Sequence, residues 1–271
     1  MRKIDKDELK TILKKHMMWL NGEDGGEKAD LSGSDLRGSD LSGSDLRWSN
    51  LRGSDLRGSV LSRSDLRGSD LSGSDLSGSD LSGSDLSGSD LRWSNLRGSD
   101  LRWSVLSRSD LRGSDLSGSD LRWSNLRGAN MRWANMSRAD MRWADMSGAD
   151  MSGVQHIESV QNLFYPLTCP EKGEYTAFKK ADEKIIELRI PADAKRLSAT
   201  GRKCRASKAV VVSITELDGT PAGDEVCSDY DKNFVYRVGE TVEVQNFDEN
   251  RWNECAPGIY HYITREEAVR H

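Results

Sequence analysis

The residues with the most recognisable chemistry are four cysteines, Cys169, Cys204, Cys227 and Cys255, spaced 35, 23 and 28 positions apart. A tetrahedral zinc site draws on close pairs such as Cys-x-x-Cys or on paired histidines. Neither occurs, so buried thiols are expected, with no metal and no other cofactor. Four cysteines in 271 residues do not make a disulfide scaffold either. No phosphate loop and no nucleophile elbow is present. Lys195, Arg196, Arg202, Lys203, Arg205 and Lys208 form a run without an acidic residue. As an exposed patch that run would bind anions; the plainer reading is a solvated connection. Trp103, Trp123 and Trp143 recur at a constant interval beside Arg102, Arg122 and Arg142, while Trp93 and Trp133 follow Arg92 and Arg132. Aromatic and arginine side chains are enriched at protein interfaces, so these residues are the candidate partner surface. Self-stacking that only stabilises the fold is the competing reading.

The element that positions these side chains is a repeat. From Asp30 to Gly153 a five-residue phrase (Ser/Ala, Asp/Asn, Leu/Met, Arg/Ser, Gly/Trp/Arg) runs 25 times without insertion. Its centre is Leu at every fifth position from Leu31 to Leu126, then Met131, Met136, Met141, Met146 and Met151. A period of five fits neither regular structure, because it scatters round a helix and alternates faces on a strand. Each phrase therefore contains its own bend, and bends at a fixed interval with one apolar residue inward wind a chain into a solenoid. Asp/Asn side chains are expected to bond backbone amides at the bends, and the small-position serines to bond backbone too, since a buried unpaired hydroxyl costs about 1–3 kcal/mol. Residues 46–76 recur at 91–121 with Trp103 in place of Gly58 as the sole change. The offset is nine phrases, so a copy lands one side round, and duplication by itself accounts for some tryptophans.

This phrase closely resembles the pentapeptide-repeat family, and the match spans 124 of 271 residues. The resemblance implies a mainly β fold: a right-handed, four-sided (quadrilateral) β-helix with one phrase per side and four phrases per coil. About six coils and a rod of about 30 Å follow at the usual strand spacing. Trp103, Trp123 and Trp143 would then form a ladder on one side, and Trp93 and Trp133 would fall on the opposite side with Gly113 between them. The family includes quinolone-resistance proteins whose acidic rods resemble DNA and occupy gyrase. A mimic of duplex charge density, one negative charge per about 1.7 Å, is poorly served here, since 18 Asp are accompanied by 16 Arg in 30–153. Asp70, Asp75, Asp80, Asp85 and Asp90 read as the one stretch without basic neighbours.

Both ends of the solenoid need covering, because unpaired backbone invites aggregation. Residues 1–29 hold a capping-box-like start at Asp5 and Glu8, with Leu9, Ile12, Leu13, His16, Met17 and Leu20 on one helical face. This N-terminal capping helix is expected to be a lid, with His16 packed rather than ligating. Residues 154–271 read as a separate α+β or mostly-β domain. Strands are expected at 175–181, 184–190, 209–217, 233–238, 241–246 and 259–263, with a last helix capped at Thr264. The stretches 198–205, 236–239, 251–255 and 258–268 resemble an uncharacterised domain often fused to such repeats in bacteria and their viruses. That resemblance implies no catalytic residues. The 258–268 segment bears a faint likeness to ADP-ribosyltransferase-type folds, whose other site elements are missing.

The chain has a net charge of −5, nowhere concentrated, and no apolar run near the ~20 residues of a membrane span. No apolar signal core follows its charged start. The expected protein is a cytoplasmic, non-enzymatic scaffold, a monomer or weak dimer, that presents the C-terminal domain to an unidentified protein partner. Direct nucleic-acid binding is not expected. A DNA-mimicking modulator of gyrase is the alternative, and an enzyme seated in 154–271 a third class.

Overall fold

A computed structural model describes residues 1–160, 168–198, 202–251 and 256–270. The chain divides into two compact units, Met1–Phe164 and Tyr165–His271.

In the first unit, parallel bridges join each Asx position to the one four phrases later, from Asp30↔Asn50 to Asn135↔Gln155. The phrase around Leu71 shows how. Asp70 N–H donates to Ser49 O (3.0 Å) one coil back, while Leu71 N–H and Gly73 N–H donate to Asp90 O (2.7 Å) and Arg92 O (2.9 Å) one coil on. Ser74 N–H closes a turn onto Leu71 O (3.1 Å). Ser72 N–H donates to Asp70 Oδ1 (2.9 Å) and Ser74 Oγ to Leu71 O (2.6 Å). The expected side-chain roles therefore hold; Ser49 and Ser59 are exceptions whose buried hydroxyls lack a partner.

Every Leu and Met centre from Leu31 to Met151 is at most 3% exposed. One such burial is worth about 2 kcal/mol, against about 5–10 kcal/mol to order the five backbones of a phrase. The six hydrogen bonds just described, at about 1 kcal/mol each, close that gap. Hydrogen bonding between coils is thus as necessary as the leucine column.

Helix α1, Lys6–Leu20, precedes the first coil, with the Asp5 carboxylate accepting from Asp7 and Glu8 N–H. Only half of a capping box forms, because the Glu8 carboxylate pairs with Arg2 instead. His16 is buried and its Nδ1 accepts from Ala29 N–H (3.1 Å). That burial lowers its pKa. Met17, placed by periodicity on the apolar face, is exposed. Strand β1 (Arg2–Lys3) pairs in parallel with β2 (Ser34–Asp35).

In the second unit, β3 (Tyr175–Ala181), β4 (Lys184–Ile190), β7 (Lys208–Glu216) and β10 (Thr241–Glu243) form an antiparallel sheet in the order β10-β7-β4-β3. Strands β5 (Arg196–Ser198), β6 (Cys204–Ala206) and β11 (Ile259–His261) form a second sheet in the order β11-β6-β5, and β8 (Glu225–Cys227) pairs with β9 (Val235–Arg237). Reciprocal Phe178 and Tyr262 bonds (2.8 and 2.7 Å) tie the second sheet to β3. Ile186, Leu188, Ile190, Val211, Ile214 and Ile259 are buried in the core. Helix α2, Arg265–Val269, starts at Thr264 with a reciprocal capping box to Glu267. Strands β5, β6 and β8 lie outside the strands expected from sequence. Of the quoted C-terminal stretches, 199–201 and 252–255 lie outside the described residues.

Leu71→Ala should destabilise the first unit by about 2–5 kcal/mol through an unfilled cavity. Ser74→Ala should cost no more than about 1 kcal/mol, since it removes a donor and leaves Leu71 O bonded to Ser74 N–H. Chemical denaturation of both variants checks the ranking.

Candidate functional site

The turn that closes each phrase places its third residue at positive φ. Gly73, for example, has φ +64°. Positive φ there alone is the type II pattern, which favours glycine. Nine non-glycine residues occupy this position instead: Trp48, Trp93, Trp103, Trp123, Trp133 and Trp143, with Arg63, Arg108 and Arg138, at φ 58–63°. A left-handed backbone costs an L-residue roughly 1–2 kcal/mol, so these side chains are placed against the backbone's preference.

What each ring gains depends on the residue one coil on. Trp103 stacks on Trp123 (centroids 5.0 Å apart, 2° between planes) and Trp123 on Trp143 (5.3 Å, 17°). The other three tryptophans lie over glycines. A Cβ built on Gly68 would come within 2.4 Å of the Trp48 ring, on Gly113 within 2.3 Å of Trp93, and on Gly153 within 2.7 Å of Trp133. Gly113 therefore receives the Trp93 ring and is more than a spacer between Trp93 and Trp133. Arg132 lies 4.6 Å over the Trp133 ring. The two stacked pairs of the ladder add about 0.5–1.5 kcal/mol each, no more than the strain of its three left-handed residues taken together. Trp103, Trp123 and Trp143 nevertheless stay 61%, 47% and 73% exposed. Trp48, on a third side, was missed by following only the ladder; it is findable by counting four phrases on to Gly68.

Beside the ladder runs a zipper of charge. Arg102 pairs with Asp100 and reaches Asp120 (3.7 Å), Arg122 holds Asp120 (2.5 Å) and reaches Asp140 (3.7 Å), and Arg142 holds Asp140 (2.6 Å). Hydrogen bonds from Arg102 and Arg142 keep the Asp100 and Asp140 carboxyls below the usual carboxylate range. A second zipper links Asp45, Arg47, Asp65, Arg67 and Asp85. The acidic stretch expected from Asp70 to Asp90 is consequently shorter than it reads: Asp90 pairs with Arg92, Asp75 lies 3.9 Å from Arg57 and Asp85 3.7 Å from Arg67.

The side chains of the basic run engage separate partners within the second unit. Arg196, 8% exposed, donates to the carbonyls of Gly173 (2.6 Å), Pro191 (2.6 Å) and Ala192 (2.9 Å). Arg205, 4% exposed, donates to Asp248 O (2.7 Å) and Asn250 O (3.1 Å). Gly258 has no side chain because Arg205 Cγ would lie 2.1 Å from its Cβ. Lys195 pairs with Glu249, Arg202 with Glu267 (2.6 Å) and Lys208 with Asp193 (2.6 Å). Lys203 instead sits 4.6 Å over the Tyr260 ring. Among the described residues no group of His, Cys, Asp and Glu is arranged to hold a metal. Cys169, Cys204 and Cys227 are free thiols, the first two buried; Cys255 lies outside the described residues.

A stack of coils bridged at every fourth phrase, built on a five-residue phrase, defines a quadrilateral β-helix. The chain belongs to the pentapeptide-repeat proteins: the family described as pentapeptide repeats (8 copies) matches residues 27–53, 44–83, 84–122 and 114–153, and membership implies the right-handed form. Its second unit carries, at residues 165–268, a domain of a family of unknown function (DUF5758). A solved pentapeptide repeat protein from Nostoc Pcc 7120 is 30% identical over 42% of this chain and 82% of that one, with a TM-score of 0.34. Trypsin-treated QnrB1, a plasmid-mediated fluoroquinolone resistance protein, is 20% identical over 50% of this chain and 81% of its own, with a TM-score of 0.39. A pentapeptide repeat protein from the cyanobacterium Cyanothece 51142 is 29% identical over 37% and 58%, with a TM-score of 0.19. No curated protein matches the chain.

Gly58→Ala, where a Cβ meets open space at φ +63°, should cost about 1–2 kcal/mol of strain. Gly113→Ala should cost more, because the Trp93 ring must swing away, and Trp93→Gly should remove the excess; a double-mutant cycle measures the coupling. The zippers' contribution to stability is present at neutral pH and is lost as pH falls through the lowered carboxyl pKa values. Melting of the first unit on acid titration should therefore fall in two stages, first below about pH 6.5 as unfolding lets the buried His16 take up a proton, then below about pH 4 as the zippers are lost.

Proposed function

We propose that the protein is a non-enzymatic interaction scaffold. Its rod, residues 30–153 in about six coils closed by the 1–29 lid, offers the Trp103, Trp123 and Trp143 ladder with Arg102, Arg122 and Arg142 to a protein partner. It carries the domain of 154–271 to the same place. The observation behind this reading is that six tryptophans occupy positions where the backbone asks for glycine, and that the three rings of the ladder remain largely in water. Stacking does not exceed the strain of the ladder, so folding by itself gains little from these rings, whereas burial under a partner would recover about 25 cal/mol per Å² of apolar surface. A cytoplasmic setting completes this reading. The gyrase-directed alternative has family membership behind it, but the Asp–Arg zippers cancel the charge that imitation of a duplex requires.

The triple variant Trp103→Gly, Trp123→Gly, Trp143→Gly should melt close to the parent, within the few degrees that about 1 kcal/mol produces. Affinity capture from the native cell should recover a protein with the parent chain and lose it with the variant. Identical recoveries from both chains would overturn the proposal.

A further inference from the structure

Two of the free thiols meet inside the second unit. In the sheet β11-β6-β5, Cys204 stands opposite Ser198 on one side and opposite His261 on the other, and the side chains of directly opposed residues share a face. All three are buried. The connection 168–174 runs against this row: Thr168 N–H donates to Ser198 Oγ (2.6 Å), which brings the next residue, Cys169, up to Cys204 with both thiols buried. The two thiols interact directly, and Cys169 also meets the Tyr175 hydroxyl. A hydrogen bond joins that hydroxyl to His261 Nε2 (3.0 Å). Arg196 donates to Pro170 O (3.4 Å) and Gly173 O (2.6 Å), so a fixed cation stands on the Cys169 side of the pair. The contact with Cys204, then Tyr175 and the charge of Arg196, hold Cys169 below the usual thiol range against burial, while the same contact and burial push Cys204 up.

A thiol beside a cation is the nucleophilic kind, and a second thiol in contact with it can resolve its oxidised product. We infer that Cys169 and Cys204 are a redox pair that closes a disulfide when the protein meets a peroxide. Cys169 is the attacking sulfur, because residues 170–174 beside it are exposed whereas Cys204 lies in the central strand of its sheet. Its thiolate attacks one peroxide oxygen: the S–O bond forms, the O–O bond breaks, and the hydroxide released takes up the thiol's proton as water. Cys204 then attacks the sulfenic sulfur; the S–S bond forms, the S–O bond breaks, and the hydroxyl leaves with the second thiol's proton as another water. Two thiols lose two electrons and the peroxide gains them. The product ties the connection 168–174 to β6 and closes a loop that contains β3, β4 and β5. Unlike the interaction surface of the repeats, this pair lies wholly within the second unit and does not depend on that reading.

The test is treatment of the reduced full chain with hydrogen peroxide, followed by alkylation under denaturing conditions, digestion and mass spectrometry. A peptide linked through Cys169 and Cys204, and separated again by dithiothreitol, is expected. Oxidation should raise the melting temperature of the second unit by about 5 °C or more, because the bridge restricts the unfolded chain, and dithiothreitol should reverse the rise. In Cys204→Ser the reaction should stop at a sulfenic acid on Cys169, trapped by dimedone, whereas Cys169→Ser should leave Cys204 a thiol. The linked peptide of the parent chain decides the inference even where a serine variant fails to fold. The inference is overturned if both thiols are still alkylated after peroxide, if the linked peptide joins Cys227 or Cys255 instead, if Cys169→Ser leaves Cys204 oxidised as fast as in the parent, or if the bridged chain melts no higher than the reduced one.

Discussion

The structure depends on main-chain hydrogen bonds that close only when residues four phrases apart stand above one another. Leu71 N–H reaches Asp90 O, and its equivalents repeat the bond along the coils at 2.7–2.8 Å, widening to 3.1 Å at Met136. That register demands a turn in every phrase, the turn demands positive φ at its third position, and this position points outward. The side chains there face solvent in columns because the backbone can be satisfied in no other way. Burial of leucine alone would permit other collapsed forms; the bonds between coils select this one.

The same register explains the charges. An arginine two positions after an aspartate folds back onto its own carboxylate and reaches the carboxylate one coil on, as Arg47 does with Asp45 and Asp65. Each pair is partly exposed and worth little by itself. Repeated along a column, they leave alternating signs where a count of aspartates suggests an acidic face. Linear neighbours are a poor guide to charge in such a fold, since half of the relevant neighbours lie on the next coil.

The repeat made the coil, the inward leucines, the Asx turns and the serine bonds legible, because all follow from a period that matches no helix or strand. The strain at the tryptophans was equally present in the alternation of Gly with Trp and Arg, but it becomes visible only once the fifth position is known to sit at positive φ. In the second unit, the strands with clear apolar alternation, β3, β4 and β7, could be read directly. Strands β5 and β6 could not, because Arg196 and Arg205 look like solvent-facing charges. Their guanidiniums are instead satisfied by carbonyls of Pro191, Gly173, Asp248 and Asn250, a pairing that only the tertiary fold creates.

Two periods govern this chain, and they constrain different things. Any insertion of whole phrases preserves the fold, but only insertions of whole coils preserve the columns. The copy of 46–76 at 91–121 moved nine phrases and so rotated its surface by one side. Trp48 over Gly68 became Trp93 over Gly113, with ring and receiving glycine travelling together because both lie inside the copied segment. Copying therefore accounts for Trp93. It does not account for Trp103, which stands where the other copy has Gly58, the single difference between the two. That one change falls in the column of Trp123 and Trp143 and extends their stack by a ring. A ring that adds backbone strain and lengthens an exposed aromatic ladder does little for the coils beneath, which is why the proposed function turns on what the ladder meets outside the protein.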